Sequence, residues 1–178
     1  MTEEMSDSEA LALASSGDQA AFGVLYDKYS GRIYNYTFYR TGSQQDAEDL
    51  TARVFFRAMR HITNYTDRGL PFSAWLYRLA HNLVANWPRD RSRRQEVVLD
   101  ESYQSDQSEE HPESFLERSE SEGALMRLIR NLPEDRQQLL ILKFVEHMSN
   151  AEIGEIMDRT EGAIKSLYHR TLLALRDE

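Results

Sequence analysis

The 178 residues contain no cysteine. That absence removes disulfides, thiolate zinc sites and cysteine nucleophiles together, and it is compatible with a reducing cytoplasm. No apolar stretch approaches the roughly 18 residues of a membrane span, so membrane insertion is not expected. The opening stretch, Met1 to Glu9, is acidic and polar and lacks the apolar core of a secretory signal. The histidines, His61, His81, His111, His147 and His169, show no paired ligand spacing. No glycine-rich phosphate loop, no Ser–His–Asp arrangement, no internal repeat and no strand-type alternation stands out. The expectation is an all-α chain with no metal, no cofactor and no catalytic centre.

The net charge is −9, which at first opposes a nucleic-acid partner. The charge is unevenly placed, however. Residues 1–30 carry −5, residues 31–98 carry +5, residues 99–122 carry −8 and residues 123–178 carry −1. Phosphate attraction follows the local field rather than the total, so the arginine-rich block at 31–98 remains a candidate.

Apolar residues recur at helical spacing through Leu11, Leu13, Phe22, Leu25, Tyr26, Tyr29, Ile33, Tyr34 and Phe38. Gly17-Asp18 breaks the pattern, with Asp18 as an N-cap, and Thr41-Gly42-Ser43 ends it. The next helix is expected from about Gln45 to His61, burying Ala47, Leu50, Val54, Ala58 and Ile62. Residues 63–71 read as a polar loop. A helix over about Phe72 to Trp87 turns Phe72, Trp75, Leu76, Leu79, Leu83 and Trp87 inward and Arg78, Asn82, Ala85, Asn86 and Arg89 outward. Pro88 should end or kink it. Residues 95–122 have the composition of an acidic, mobile linker. Asn131-Leu132-Pro133 then opens a unit with helices near 133–147, 150–157 and 161–176. Ser149 and Glu152 form a capping box and Thr160 caps the last helix.

The final two helices read as a helix-turn-helix. Ile164, Tyr168, Thr171 and Leu175 form an inner stripe, which leaves Gly162, Ala163, Lys165, Ser166, His169 and Arg170 outward. Small residues at the start of such a helix let it enter a major groove, and Lys and Arg meet phosphates. Upstream, Asn82 and Asn86 lie one turn apart beside Arg78 and Arg89. The loop Asn64, Tyr65, Thr66, Asp67, Arg68 offers an aromatic ring and hydrogen-bonding groups that suit an unstacked base. Asp46, Glu48 and Asp49 could be taken for magnesium ligands. No phosphate loop accompanies them, and capping or protein docking explains them better.

These stretches together resemble bacterial sigma factors of the extracytoplasmic-function (ECF) type. The resemblance is carried by Phe22-Gly-Val-Leu-Tyr-Asp-Lys-Tyr29, Asp46-Ala-Glu-Asp-Leu-Thr51 with Val54-Phe55, and Phe72-Ser-Ala-Trp-Leu-Tyr-Arg-Leu-Ala-His-Asn82. Leu132-Pro133, Glu152-Ile153, Gly162-Ala-Ile-Lys-Ser166 and His169-Arg170 complete it. It implies two small helical domains, 1–94 and 123–178, joined by the linker 95–122. It implies docking on the clamp helices of the polymerase beta-prime subunit through Asp46, Glu48, Asp49, Arg53 and Phe56. The loop residues with Arg78, Asn82, Asn86 and Arg89 would open and read the minus-ten promoter element. The helix-turn-helix would read the minus-thirty-five element, held by the beta flap. An anti-sigma factor would be a further partner, and the location would be cytoplasmic. The chain departs from the family at Ala52-Arg53 and at Leu167, Leu172 and Leu173, where basic residues are frequent. Those leucines are expected at a partner surface. Two other readings stand beside this one. A stand-alone helix-turn-helix regulator predicts tight duplex binding without polymerase, and a nucleotide enzyme using Asp46 and Glu48 predicts turnover that needs a divalent ion.

Overall fold

The computed structural model describes residues 5–66, 69–98 and 116–177, without the side chains of 88–98 and 116–122. Among the described residues every regular element is helical. The elements are α1 (Asp7–Ser15), α2 (Gln19–Thr41), α3 (Gln44–His61), a 3-10 turn (Ile62–Asn64), α4 (Phe72–Val98), α5 (Leu116–Arg130), α6 (Glu134–Leu140), a π turn (Ile141–Val145), α7 (Asn150–Met157) and α8 (Glu161–Arg176). None is long and apolar enough to cross a membrane.

Local chemistry sets the helix ends. Asp18 accepts from the Ala20 and Ala21 amides at 2.9 and 3.1 Å and starts α2. Gly42, at φ +69°, ends it in the left-handed conformation that glycine adopts without strain. Ser43 then caps α3. Each cap contributes about 1 kcal/mol. Burying one Leu or Ile side chain contributes about 1.5–3 kcal/mol, so the apolar stripes hold the helices together and the caps fix their limits. In the first unit the stripes meet at the fully buried Leu25, Ile33, Tyr36, Leu50, Val54, Leu76 and Tyr77. Thr37 and Thr51 sit where α2 crosses α3, their hydroxyls 3.3 Å apart and also bonded to backbone carbonyls. The second unit closes over Leu139, Ile141, Leu142, Ile153 and Ile164.

Three features differ from expectation. The helix does not end at Pro88 but runs to Val98. A proline removes a single donor, here the partner of the Val84 carbonyl, and the turns on either side carry the helix past it. The span read as linker is helical at both ends, to Val98 and from Leu116, and residues 99–115 lie outside the described residues. The helix near 133–147 relaxes after Leu140 into a π turn, in which the Glu146 amide reaches back to the Ile141 carbonyl at 3.1 Å.

The two units pack on each other. Glu146 of the second enters a gap between α2 and α4 of the first, and its Oε2 accepts from the Tyr77 hydroxyl at 2.7 Å and from Arg32 Nε at 3.4 Å. Arg130 donates to the Thr41 carbonyl at 3.3 Å. Beneath this seam the buried Arg40 donates to the Tyr36 hydroxyl at 2.9 Å and to His81 Nδ1 at 3.1 Å. Burial, and then the Arg40 charge, lower the His81 pKa, so the ring stays a neutral acceptor. Burial pushes the Tyr36 hydroxyl up to about 12.

Candidate nucleic-acid and protein interface

The helix-turn-helix has the local chemistry its sequence promised. Ser149 and Glu152 cap each other, the Glu152 amide donating to Ser149 Oγ at 3.2 Å and the Ser149 amide to Glu152 Oε2 at 2.7 Å. Asp158 takes the left-handed conformation, φ 55°, and ends α7. Thr160 accepts from the Ala163 amide at 3.2 Å and starts α8. The turn between them is tight enough that a Cβ placed on Gly154 would lie 2.6 Å from the Arg159 carbonyl oxygen. Sequence reading missed Gly154. A glycine inside an otherwise good helix pattern is the available signal of close backbone approach.

On α8, Gly162, Lys165, Ser166, His169 and Arg170 are exposed and Ala163 is half-buried, as expected of a reading face. Lys165 pairs with Glu161 at 3.4 Å. Both are exposed, so the pair adds little and the lysine remains available to phosphate. Leu167 is a correction. It is buried with Ile164 and Thr171 because it lies three residues after Ile164 on the inner stripe, so it belongs to the core and not to a partner surface. Leu172 and Leu173 are exposed.

The loop after α3 makes a pocket of about 390 Å³ lined by His61, Asn64, Tyr65, Thr66, Leu70, Trp75 and Arg78. The Tyr65 ring lies 5.0 Å from Trp75, which lies 5.6 Å from Phe72. Trp75 is only half-buried. It was assigned to the inward stripe, yet it closes the core on one side and walls the pocket on the other. Asp67 and Arg68 lie outside the described residues, as does the side chain of Arg89.

Along α4, Asn82 and Asn86 are exposed, as expected, and Asn86 Nδ2 donates to the Asn82 carbonyl at 2.9 Å. Arg78 is half-buried, and its guanidinium is turned onto the second unit. Its Nε donates to the Ile156 carbonyl at 3.3 Å and its Nη2 to the Glu155 carbonyl, both at the end of α7. A long-range contact of this kind leaves no trace in helical periodicity.

Of the α3 residues, Asp46 forms the first turn behind Ser43. Glu48 accepts from Gln44 at 3.0 Å. Asp49 pairs with Arg53 at 3.2 Å. Phe56 is 56% exposed and Met59 49%, with the Arg60 guanidinium 5.8 Å over the Phe56 ring. Asp49, Arg53, Phe56 and Arg60 recur at three- and four-residue steps and share one outward stripe. Phe56 and Met59 thus leave apolar surface exposed beside charged groups on this helix. Among the described residues no acidic or histidine cluster could hold a metal ion; Glu48 is bonded to Gln44 and Asp49 is paired with Arg53.

Two family models match the chain, Sigma-70 region 2 over residues 25–94 and Sigma-70, region 4 over residues 122–175. The ECF RNA polymerase sigma factor BldN of Streptomyces coelicolor is 39% identical, and the match spans 94% of this chain but 63% of BldN. The ECF RNA polymerase sigma-E factor of Haemophilus influenzae is 30% identical over 96% of this chain and 93% of its own length. Among solved structures, CnrH in complex with the cytosolic domain of CnrY is similar with a TM-score of 0.68 at 22% identity, covering 94% of this chain and 95% of that one. That last likeness speaks to the fold alone. Matched in order along both units, and nearly end to end by a relative, the chain belongs to the ECF RNA polymerase sigma factors.

Proposed function

We propose that this chain binds core RNA polymerase and directs initiation at promoters of its own class, with no catalytic step of its own and in the cytoplasm. The observation that carries the reading is the aromatic-walled pocket at 61–78, which lies on a different unit from the helix-turn-helix. A single duplex reader has no use for it, whereas a factor that captures an opened base does. In this reading residues 1–94 dock and melt, 123–178 read the upstream element and 95–122 join them. Asp46, Glu48, Asp49, Arg53 and Phe56 contact the beta-prime clamp helices. Asn64, Tyr65, Thr66, Arg78, Asn82 and Asn86, with Asp67, Arg68 and Arg89, serve the minus-ten element. Gly162, Ala163, Lys165, Ser166, His169 and Arg170 serve the minus-thirty-five element.

An apolar groove of about 540 Å³, walled in part by Leu125, Leu128, Phe144 and Leu172, suits a helix of the beta flap. An anti-sigma protein that excluded the flap there would silence the factor.

The test is transcription in vitro from a genomic promoter library. The isolated protein should bind duplex promoters weakly, and core polymerase should confer selective initiation. Nanomolar, sequence-specific duplex binding without polymerase would point to a stand-alone regulator instead.

Two substitutions probe the separate surfaces. Asp49→Arg should weaken competition with another sigma factor for core polymerase at least tenfold. Its local cost is small: an exposed helix pair is worth about 0.3–0.5 kcal/mol, against several kcal/mol for like charges set together at an interface. A large fall in melting temperature with normal competition would make Asp49 structural. Asn82→Ala and Asn86→Ala should each reduce discrimination at the minus-ten element by about 1–3 kcal/mol, with polymerase binding unchanged. Asn82 should show the larger effect, because the Asn86 amide already bonds its own helix. Equal initiation by parent and both variants would remove these residues from the reading face.

A further inference from the structure

The wall of the base pocket is held from behind by a helix to which the promoter reading gives no task. Phe72 meets Trp75 at 5.6 Å and Tyr65 at 6.1 Å, so it backs both rings of the pocket. Behind Phe72 stands Tyr29 of α2, edge-on, with ring centroids 5.9 Å apart. Phe72 and Tyr29 are both buried. The Tyr29 hydroxyl donates to Asp7 Oδ2 on α1, and Lys28 Nζ is paired with the other oxygen of that carboxylate. One line of contacts thus runs from α1 through α2 and α4 to the pocket.

Asp7 is not needed to start its own helix. Ser6 and Glu9 already cap α1 with a reciprocal box, and Asp7 reaches across to α2 instead. The buried side chains of α1 are two alanines, Ala10 and Ala14, with Leu11 half-buried beside them. Apolar anchorage scales with the area removed from water, so the polar tie carries a large share of the hold on this helix. In turn α1 packs along the 3-10 turn Ile62–Asn64, which carries Asn64 and leads into Tyr65. Both ends of the tie have a fixed charge. Burial, and then the bond to Asp7, raise the Tyr29 pKa well above its ordinary value, so the hydroxyl stays a donor. Burial raises the Asp7 carboxyl, but the bonds from Lys28 and Tyr29 outweigh it and hold the group below its ordinary value, so it stays a carboxylate acceptor.

We propose that Asp7 is a positioning residue for base capture: by gripping Tyr29 and Lys28 it seats Phe72 and fixes the wall formed by Trp75 and Tyr65. The inference rests on the reading of the pocket given above. Asp7 acts without touching DNA. It keeps the pocket in the shape that accepts a ring, so that less order has to be gained when the base arrives.

The test uses the full chain with core polymerase on a promoter whose minus-ten region is pre-melted. A fluorescent adenine analogue, 2-aminopurine, is placed at each minus-ten position in turn. In the parent, the captured position should be shielded from quenching by acrylamide. Asp7→Asn and Tyr29→Phe should each at least halve that shielding and shorten the lifetime of the complex at least threefold, with competition for core polymerase unchanged. In a Trp75→Ala chain, Asp7→Asn should shorten the lifetime no further, because the wall it positions is gone. A merely structural role would add its full effect to that background. Parental shielding and lifetime in both variants overturn the proposal and leave base capture intact. So does an Asp7→Asn effect that persists undiminished beside Trp75→Ala. A parent that shields no position overturns base capture, and the proposal with it. Tyr29→Phe keeps the ring and loses only the hydroxyl, so it decides the matter where Asp7→Asn fails to fold.

Discussion

Gly154→Val should unfold the helix-turn-helix. Its added Cβ would stand 2.6 Å from the Arg159 carbonyl oxygen, and that oxygen belongs to the turn backbone and has no side-chain rotation with which to yield. Overpacking of a close contact costs about 1–3 kcal/mol, and more where backbone must shift. Valine adds a further loss of rotamer freedom inside a helix. Against the 5–15 kcal/mol that typically holds a domain, the C-terminal unit should lose most of its thermal transition while α1–α4 retain theirs. Binding to minus-thirty-five duplex by the assembled polymerase should fall with it. Gly154→Ala meets the same oxygen with less bulk and should lie between. Unchanged melting of Gly154→Val would mean that α7 and α8 can separate at no cost, and the turn would then not fix the reading helix.

Trp75→Ala carries the largest expected effect on initiation. The ring walls the pocket and packs at a tilt against Tyr65 and Phe72. Base stacking on an aromatic is worth about 1–3 kcal/mol, and each 1.36 kcal/mol is a factor of ten. Open-complex formation on duplex promoter should therefore fall roughly 5- to 150-fold. Trp75→Phe should restore part of it. A promoter with a pre-melted minus-ten bubble separates capture of a base from opening of the duplex, and the defect should persist there. Parallel melting and polymerase competition report the ring's share in the core. If the bubble template restores full activity, Trp75 acts in strand separation rather than in holding the base.

What the sequence made legible was chemistry confined to a few residues. Asp18, Gly42, the Ser149–Glu152 box and Thr160 act within four positions of themselves, and each sits where it was expected. The stripe Ala47, Leu50, Val54, Ala58 and Ile62 is buried throughout, because periodicity alone decides which face of a helix is apolar. The outward residues of α8 followed for the same reason. Illegible were contacts made across the chain. Arg78 belongs to an outward face by spacing and to α7 by geometry. Glu146, an unremarkable acid in sequence, lies buried between two helices more than sixty residues upstream. Leu167 departs from the family's usual base, and its place three residues after Ile164 on the inner stripe is what buries it. Of the stop and the kink that Pro88 allows, the stop does not occur, because the helix runs on to Val98 and one lost donor is a local cost that the neighbouring turns absorb.

The π turn at Ile141–Val145 has a consequence for how such a chain can be retuned. A helix advances about 100° per residue, and one surplus residue in a turn rotates everything after it by that angle. Here the surplus decides that Glu146 points into the gap between α2 and α4 while Phe144 points out. Loss of one residue from the turn would restore ordinary winding and swing the carboxylate away from Tyr77 and Arg32, while the close packing of α7 on α8 keeps the reading helix in place relative to α7. Insertions and deletions at this point, more than substitutions, are therefore the coarse adjustment by which relatives sharing both modules could differ in how firmly those modules clasp.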